Sequence, residues 1–462
     1  MMKSIKLFFI SLFAAITSIF SQDTSDECRT KLSIFHEHVK VENYNAAYKP
    51  WAFVKDSCPK LNIAIYTDGE KILKYKIANT SENEQKEFVE ALIELLQMRI
   101  DNFPKKAPVG VFSSKKCQLM YDYRNLLQKN NTQLFDCFDA TYKTDKATFT
   151  HPKSLYTYFS LVIDLYKEDK KSIQDVFDTY DAIIEKIQYE IKNYSENLNT
   201  LIQKEENGEV LTKNEKDKVK AYKSYLKNYD LISKNINTKL GILADCENLI
   251  PLYTKTFEAN KNDSFWLKRA VSRMYHKECT EDPLYEKLVK AYDEVEPSAD
   301  TKYFVATILV KKGKFKEAET YLKESYDLET DAFKKSRRAN SNGALLKKLK
   351  RYSEARKYFR KALKLNPSSG SPYLAIAKMY AESAKNCGDT NFNKRAVYWL
   401  AAEQAKKALR LDPVLRNKAS QLVERYNALA PSREEIFKCA CSGKVIAIGC
   451  WINDKVVVPK IK

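Results

Sequence analysis

The sequence predicts an all-α fold, a solenoid of antiparallel helix pairs that ends in a small C-terminal β-hairpin. The 462 residues include only 10 Gly and 13 Pro, so few positions interrupt long amphipathic stretches. A helical-hairpin pattern occurs twice in succession between residues 299 and 369. Because one hairpin cannot bury its own apolar stripe, repeated hairpins are expected to stack into a single core.

The two clearest repeats occupy residues 299–332 and 336–369. Ala306 and Ala318 in the first copy correspond to Gly343 and Ala355 in the second, each pair 37 residues apart. Small residues at these positions let the two helices of a hairpin approach closely. The remaining positions that support the pattern are the turns 313–315 and 350–352, with Leu322, Ser325, Phe359, Ala362 and Pro367.

This pattern resembles the tetratricopeptide repeat (TPR) family, whose repeats are about 34 residues long. The resemblance implies a right-handed superhelical solenoid that holds a protein or peptide partner. A third, expanded copy occupies residues 370–415, and a capping helix follows at 414–429. The cysteine-flanked first hairpin, residues 398–401 in the third copy and the ending at 431–437 and 449–453 resemble exported bacterial TPR proteins of the Bacteroidetes type.

Residues 1–22 have the pattern of a signal peptide. Lys3 and Lys6 precede an apolar run at 7–16, and small residues follow it. A membrane anchor is the alternative, but the run is short for a spanning helix. We therefore expect export to the periplasm, the cell surface or the medium, and no transmembrane segment after cleavage.

The rest of the chain divides by pattern into four regions. Residues 23–165 carry degenerate helical hairpins, and 166–245 carry two long heptad stripes typical of an antiparallel pair of long helices. That pair either projects as an arm or belongs to the stack. Residues 246–430 form the TPR region, and 431–462 form a short helix and β-hairpin, with a capping box at Ser432 and Glu435.

Ten cysteines in an exported chain indicate disulfides. An antiparallel hairpin brings the start of its first helix beside the end of its second helix, which predicts Cys28–Cys58 and Cys246–Cys279 bridges. The pairing of the other six stays open, and they are Cys117, Cys137, Cys387, Cys439, Cys441 and Cys450.

The formal net charge of +19 raises the question of an anionic partner. Export argues against nucleic acid. Basic runs at 311–314, 334–338 and 347–351 leave open a second function, the binding of an anionic glycan or envelope polymer. Solvated lysines without a specific partner are the remaining explanation.

No catalytic, cofactor-binding or metal-binding motif occurs in the sequence, so we expect neither an enzyme nor a cofactor. The predicted function is a protein–protein interaction scaffold of the bacterial cell envelope. Its candidate partner-binding residues lie on the first helix of each hairpin, and they are Tyr303, Thr307, Arg337, Asn340, Lys347 and Lys378.

Overall fold

The computed structural model describes residues 25–241 and 243–461. The predicted signal peptide at 1–22 therefore lies outside the described residues. The described chain divides into two compact units, one ending at Ile183 and the other beginning at Ile184.

The first unit is built from consecutive antiparallel helices. Helical residues 25–40 form α1, and the next helices are α2 (Tyr44–Ser57), α3 (Ala64–Asn79), α4 (Glu82–Asn102), α5 (Val109–Asp122), α6 (Asn131–Thr144) and α7 (Pro152–Lys167). A short 3-10 helix, Pro104–Lys106, connects α4 to α5.

Local sequence explains where these helices begin. The Asn43 side chain accepts a hydrogen bond from the Ala46 N–H, and Asn130 forms a capping box with Gln133. The core of the first pairs centres on Trp51, whose Nε1 donates to the Ile65 carbonyl at 2.7 Å. Gly69 lies directly under that indole, where a Cβ would come within 2.4 Å of the ring.

The second unit contains the repeats. Its helices are the later part of α8 (Ile173–Glu206), then α9 (Lys213–Gly241), α10 (Cys246–Asn260), α11 (Ser264–His276), α12 (Pro283–Val295), α13 (Ala299–Lys311), α14 (Phe315–Leu328), α15 (Ala332–Lys348), α16 (Tyr352–Leu365), α17 (Gly370–Ser383), α18 (Asn391–Leu411), α19 (Arg416–Leu429) and α20 (Arg433–Lys438).

Three hairpins, α13–α14, α15–α16 and α17–α18, are each closely packed. The small residues predicted at their crossings are buried, with Ala306 and Ala355 fully inaccessible. At Gly343, a Cβ would lie 2.8 Å from the Phe359 ring, so only glycine permits this approach. Buried serines join the two helices at the open end of the first two hairpins, Ser325 to the Ala299 carbonyl and Ser336 to the Ala362 carbonyl.

The long hairpin α8–α9 runs along one edge of these repeats. Lys192 forms an ion pair with Asp331, the residue that caps α15. Farther along α8, Leu198 and Ile202 pack against Leu411 at the end of α18. In the second unit the hairpin therefore contacts the connections between repeats.

The chain ends in a two-stranded antiparallel sheet, β1 (Val445–Ile448) and β2 (Asp454–Val457), preceded by the expected capping box at Ser432 and Glu435. The strands are joined by a loop that is longer than a two-residue turn. Cys450 and Asn453 have φ of 52° and 40°, so they leave the extended strand conformation. Ile448 pairs with Asp454, and residues 449–453 form the loop.

These observations confirm the predicted all-α class, its antiparallel helix pairs and the small β-hairpin. The structure also places the cysteines in five pairs, with Cα atoms 5.2–6.4 Å apart. The pairs are Cys28–Cys58, Cys117–Cys137, Cys246–Cys279, Cys387–Cys450 and Cys439–Cys441. Within 25–241 and 243–461, no helix combines the length and the low polarity that crossing a membrane requires.

Candidate partner-binding face

The first helices of the hairpins lie side by side and form what we call the first-helix face, the exposed surface of α13, α15 and α17. Tyr275 of α11 and Tyr303 of α13 share a hydroxyl hydrogen bond of 2.9 Å. Arg338 of α15 pairs with Asp300 of α13. Lys347 of α15 lies 3.5 Å from a Glu382 carboxylate oxygen on α17.

Both edges of the second and third hairpins are partly covered. On the edge where consecutive hairpins connect, Asn199 of α8 donates to Asn366 at 3.0 Å and accepts from the Ser368 N–H at 3.1 Å. These contacts lie at the connection between α16 and α17.

The C-terminal hairpin covers the opposite edge through Trp451. Its indole Nε1 donates to Ser383 Oγ at 2.9 Å, and its ring lies against Tyr352 and Tyr380. Arg356 lies over the same indole and donates to the Trp451 and Ile452 carbonyls. Covered edges make the helix faces the principal surfaces of these hairpins that a partner can approach.

Two candidate residues, Tyr303 and Thr307, are buried between helices. They are 7% and 9% exposed. Thr307 Oγ1 hydrogen bonds the Phe304 carbonyl at 2.7 Å and lies 3.3 Å from the Tyr285 hydroxyl. Burial raises the pKa of Tyr303, so this phenol stays neutral. Both side chains organise the contact of α13 with α11 and α12.

Arg337 is exposed on α15, and no carboxylate among the described residues forms an ion pair with it. Desolvation by crowded neighbours, followed by repulsion from Arg338, lowers the pKa of its guanidinium. One turn along, the Asn340 Oδ1 is buried and makes no hydrogen bond in the structure. An unpaired cation and an unpaired acceptor therefore lie on the same helix.

Lys347 and Lys378 extend the positive charge toward the C-terminal end of the face. Lys378 is half-buried. Desolvation lowers the pKa of its ammonium group, and repulsion from Lys418 and Lys347 lowers it further. Glu382 compensates part of this charge, but it also accepts a hydrogen bond from the Tyr352 hydroxyl at 2.6 Å.

Two titratable groups near these residues were missed by sequence reasoning. His276 of α11 lies near Arg337. Desolvation lowers the pKa of the His276 imidazole, and repulsion from Arg337 and Lys277 lowers it further. Lys418 of α19 approaches Lys378. Both come from helices outside the two clear repeats, so the 37-residue spacing gives no signal for them.

Six of the eleven cations in the basic runs that suggested an anionic polymer form ion pairs within the chain. The pairs are Lys311–Glu281, Lys312–Glu286, Lys314–Glu317, Arg338–Asp300, Lys347–Glu382 and Arg351–Glu319. A surface lysine that already has a carboxylate gains little from a second anion. The runs thus lend no support to polymer binding.

Across the described ranges, no group of three or more His, Cys, Asp or Glu side chains is arranged to hold a metal ion.

Residues 340–369 match the tetratricopeptide repeat family model. No curated protein matches the chain in sequence.

Among solved structures, the chain is similar to a TPR2AB-domain:pHSP90 complex of yeast Sti1 at 14% identity and a TM-score of 0.23, covering 69% of this chain and 98% of that one. It is also similar to yeast Tom70 at 12% identity and a TM-score of 0.28, and to a human IFIT1 dimer with m7Gppp-AAAA at 11% and 0.30. In both cases 87% of this chain and 89% of the other are covered. TM-scores this low carry no argument about what this chain binds.

Proposed function

We propose that this chain, which carries a tetratricopeptide repeat at 340–369, is a non-enzymatic scaffold that binds a protein or peptide partner along the first-helix face. The observation that carries the proposal is that the exposed Arg337 of α15 forms no ion pair among the described residues, while the half-buried Lys378 of α17 lies near two further cations, Lys347 and Lys418.

The chemistry of these groups favours a peptide chain with acidic residues. A cation that neighbouring cations repel gains from a bound carboxylate, which offsets that repulsion. A peptide with acidic side chains supplies these carboxylates, so Arg337 and Lys378 would each bind one of them.

We further propose that the chain is exported in a bacterium of the Bacteroidetes type and works in the cell envelope, in the periplasm or at the surface. The N-terminal pattern at 1–22 and the five cysteine pairs support this location. N-terminal sequencing should give a mature protein that begins near Gln22, and peptide mapping without reductant should recover the five bridges. A chain that begins at Met1 with free thiols would refute the location.

The scaffold function is tested by affinity capture from envelope extracts with the tagged, full-length chain. Arg337→Gln with Lys378→Gln removes the two cations of the first-helix face. The matched control is Lys316→Gln with Lys357→Gln, which removes the same charge from exposed positions on α14 and α16. Each capture is repeated at low and high salt.

The proposal requires a protein that the wild type and the control retain and that the R337Q/K378Q variant loses. Since both variants carry the same net charge, a difference between them cannot come from nonspecific attraction. Equal retention by all three proteins would contradict binding at this face.

A further inference from the structure

The Cys439–Cys441 bridge, between α20 and β1, is more exposed than the other four bridges. Each of those contains one buried cysteine, and the buried cysteines are Cys28, Cys117, Cys279 and Cys387. By contrast, Cys439 is exposed and Cys441 is half-buried. Neither half of this bridge is therefore enclosed by the fold.

Exposure of both sulfurs decides how readily a disulfide exchanges with a thiol. A thiolate attacks one sulfur of the disulfide, and the other sulfur leaves as a new thiolate. A thiolate is unfavourable in buried surroundings. In each of the other four bridges, either the attacked sulfur or the leaving sulfur belongs to the buried cysteine. At Cys439–Cys441 the exchange avoids both obstacles.

Stabilisation of the fold explains little of this bridge. Its cysteines are two positions apart in the sequence, whereas the other bridges join cysteines 20 to 63 positions apart. A disulfide stabilises mainly by restricting the unfolded chain, and the restriction grows with the length of the closed loop. The shortest loop therefore contributes least to stability.

The elements on either side of the bridge have other anchors. Arg395 of α18 forms an ion pair with Glu435 of α20. The β-hairpin is held by the Trp451 indole, which donates to Ser383 Oγ at 2.9 Å. Both elements can therefore keep their positions when the bridge opens.

The local backbone suits both the bridged and the reduced cysteines. Ala440 has a φ of 50°, and this left-handed turn brings Cys441 back beside the last turn of α20. The Ile436 carbonyl oxygen lies 3.2 Å from Cys439 Sγ and 3.8 Å from Cys441 Sγ. A thiol formed by reduction thus finds an acceptor for its S–H without a change of backbone.

Exposed apolar side chains flank the bridge. Phe437, two residues before Cys439, is 76% exposed. Val445, four residues after Cys441, pairs across the strands with Val457, and these valines are 60% and 59% exposed. An unfolded polypeptide presents apolar side chains that can contact such groups, and a small hydrophilic thiol does not.

We propose that the Cys439–Cys441 bridge is a thiol–disulfide exchange site, which oxidises a pair of cysteines in an unfolded segment of another exported protein. Such exchange requires the proposed export, since a reducing compartment would keep these cysteines as thiols. It uses none of the residues of the first-helix face.

The exchange balances within the two proteins. A substrate thiolate attacks the exposed Cys439 Sγ, the bond between Cys439 and Cys441 breaks, and Cys441 leaves as a thiolate that takes up a proton. The second substrate thiolate then attacks the substrate sulfur of the mixed disulfide, and Cys439 leaves in the same way. Two electrons pass from the substrate to the bridge, so one chain oxidises one pair of cysteines without a further oxidant.

The first test measures the order in which the five bridges of the full chain are reduced. The oxidised protein is treated with dilute dithiothreitol, free thiols are trapped with N-ethylmaleimide over time, and peptide mapping locates them. Cys439 and Cys441 lie on one tryptic peptide, 439–444. We expect this peptide to gain two labels at least about tenfold faster than any other cysteine pair. Reduction of another bridge at the same rate would overturn the exchange site.

The second test follows transfer to a substrate. The probe is a reduced synthetic peptide with two cysteines flanked by leucines, and the readout is the loss of its thiols. The wild type should oxidise one peptide per chain. Cys439→Ser with Cys441→Ser should abolish this reaction, while the control, Cys246→Ser with Cys279→Ser, should retain it. Equal oxidation by the wild type and the C439S/C441S variant would contradict the proposed exchange.

Phe437→Ala tests the class of substrate. Loss of the exposed ring should slow oxidation of the leucine-flanked peptide by about threefold and leave the reaction with dithiothreitol unchanged. Equal rates with the peptide for F437A and the wild type would refute the preference for an unfolded segment.

Mapping before any reductant is added separates this site from the proposed location. Ten free thiols would refute export and the exchange site together. If the five bridges are recovered and all are reduced at one rate, only the exchange site is refuted.

Discussion

Gly343 shows how one residue type fixes a helix crossing. Its Cα faces the Phe359 ring, and an added Cβ would lie 2.8 Å from it. We predict that Gly343→Ala lowers the free energy of unfolding by about 1–2 kcal/mol, because overpacking outweighs the better helix propensity of alanine.

Chemical denaturation measures the Gly343→Ala effect. Gly241→Ala is the control, since its Cβ would meet only the Lys277 Nζ at 3.5 Å. The control should be neutral or slightly stabilising. An equal loss in both variants would mean that the crossing tolerates a methyl group.

The contribution of Glu215 to stability should depend on pH, because the pKa of its carboxyl group is lowered in the folded chain. A hydrogen bond from Lys204, then bonds from the Thr212 backbone N–H and hydroxyl, lower its pKa to about 2. Because the folded pKa lies below the unfolded value of about 4.3, the contribution of Glu215 to stability is present above pH 4.3 and is lost toward pH 2. NMR titration of this carboxyl group should find the lowered value.

Lys204→Met should raise the Glu215 pKa toward its ordinary value. Lys216→Met removes an exposed charge beside Glu215 and should change it little. If the two variants gave the same Glu215 pKa, the Lys204 hydrogen bond would not be its cause.

The long hairpin α8–α9 contacts the connections between repeats and so helps to hold neighbouring repeats together. Asn199 is buried and bridges Asn366 and Ser368. We predict that Asn199→Ala costs about 1–3 kcal/mol of stability, since it leaves buried polar partners unpaired. Thermal or urea unfolding gives the value.

The neighbouring Asn197 provides the control for Asn199. It is exposed, and its side chain bonds only to the Asn193 carbonyl in the same helix. Asn197→Ala should change stability by less than about 0.5 kcal/mol. A matching loss at Asn197 would mean that the Asn199 effect does not come from its hydrogen bonds to Asn366 and Ser368.

Trp451 anchors the C-terminal hairpin to α16 and α17. We predict that Trp451→Ala frees β1 and β2 to open locally, because the indole supplies the ring contacts and the bond to Ser383. Hydrogen exchange in residues 445–457 should quicken while exchange in α13–α16 stays unchanged. Phe437→Ala, at a 76% exposed position, should leave exchange in the hairpin unaltered.

Helical periodicity predicted which segments form helices, but it did not predict which helices pack against each other. The heptad stripes indicated α8 and α9, and the 37-residue period indicated α13–α16. Neither pattern shows that α8 contacts Asp331 and Leu411, because those contacts join residues more than a hundred positions apart. The strand pattern likewise gave no sign that Trp451 would insert beside Arg356.

The candidate site was predictable only in part. Position on a first helix identified Arg337 and Asn340, which the structure leaves unpaired. The same rule also selected Tyr303 and Thr307, which α11 and α12 bury. Burial of a helix face depends on its neighbours in space, and a repeat pattern does not reveal an irregular neighbour.

For the whole molecule, we propose that a partner binds along the first helices, because the edges are partly covered and the first helices carry unpaired cations. Hydrogen exchange with mass spectrometry on the complex formed with the captured partner tests this most directly. We predict added protection in α13, α15 and α17, with α14, α16 and α18 unchanged. Protection confined to the second helices, or none in these hairpins, would contradict binding at the first-helix face.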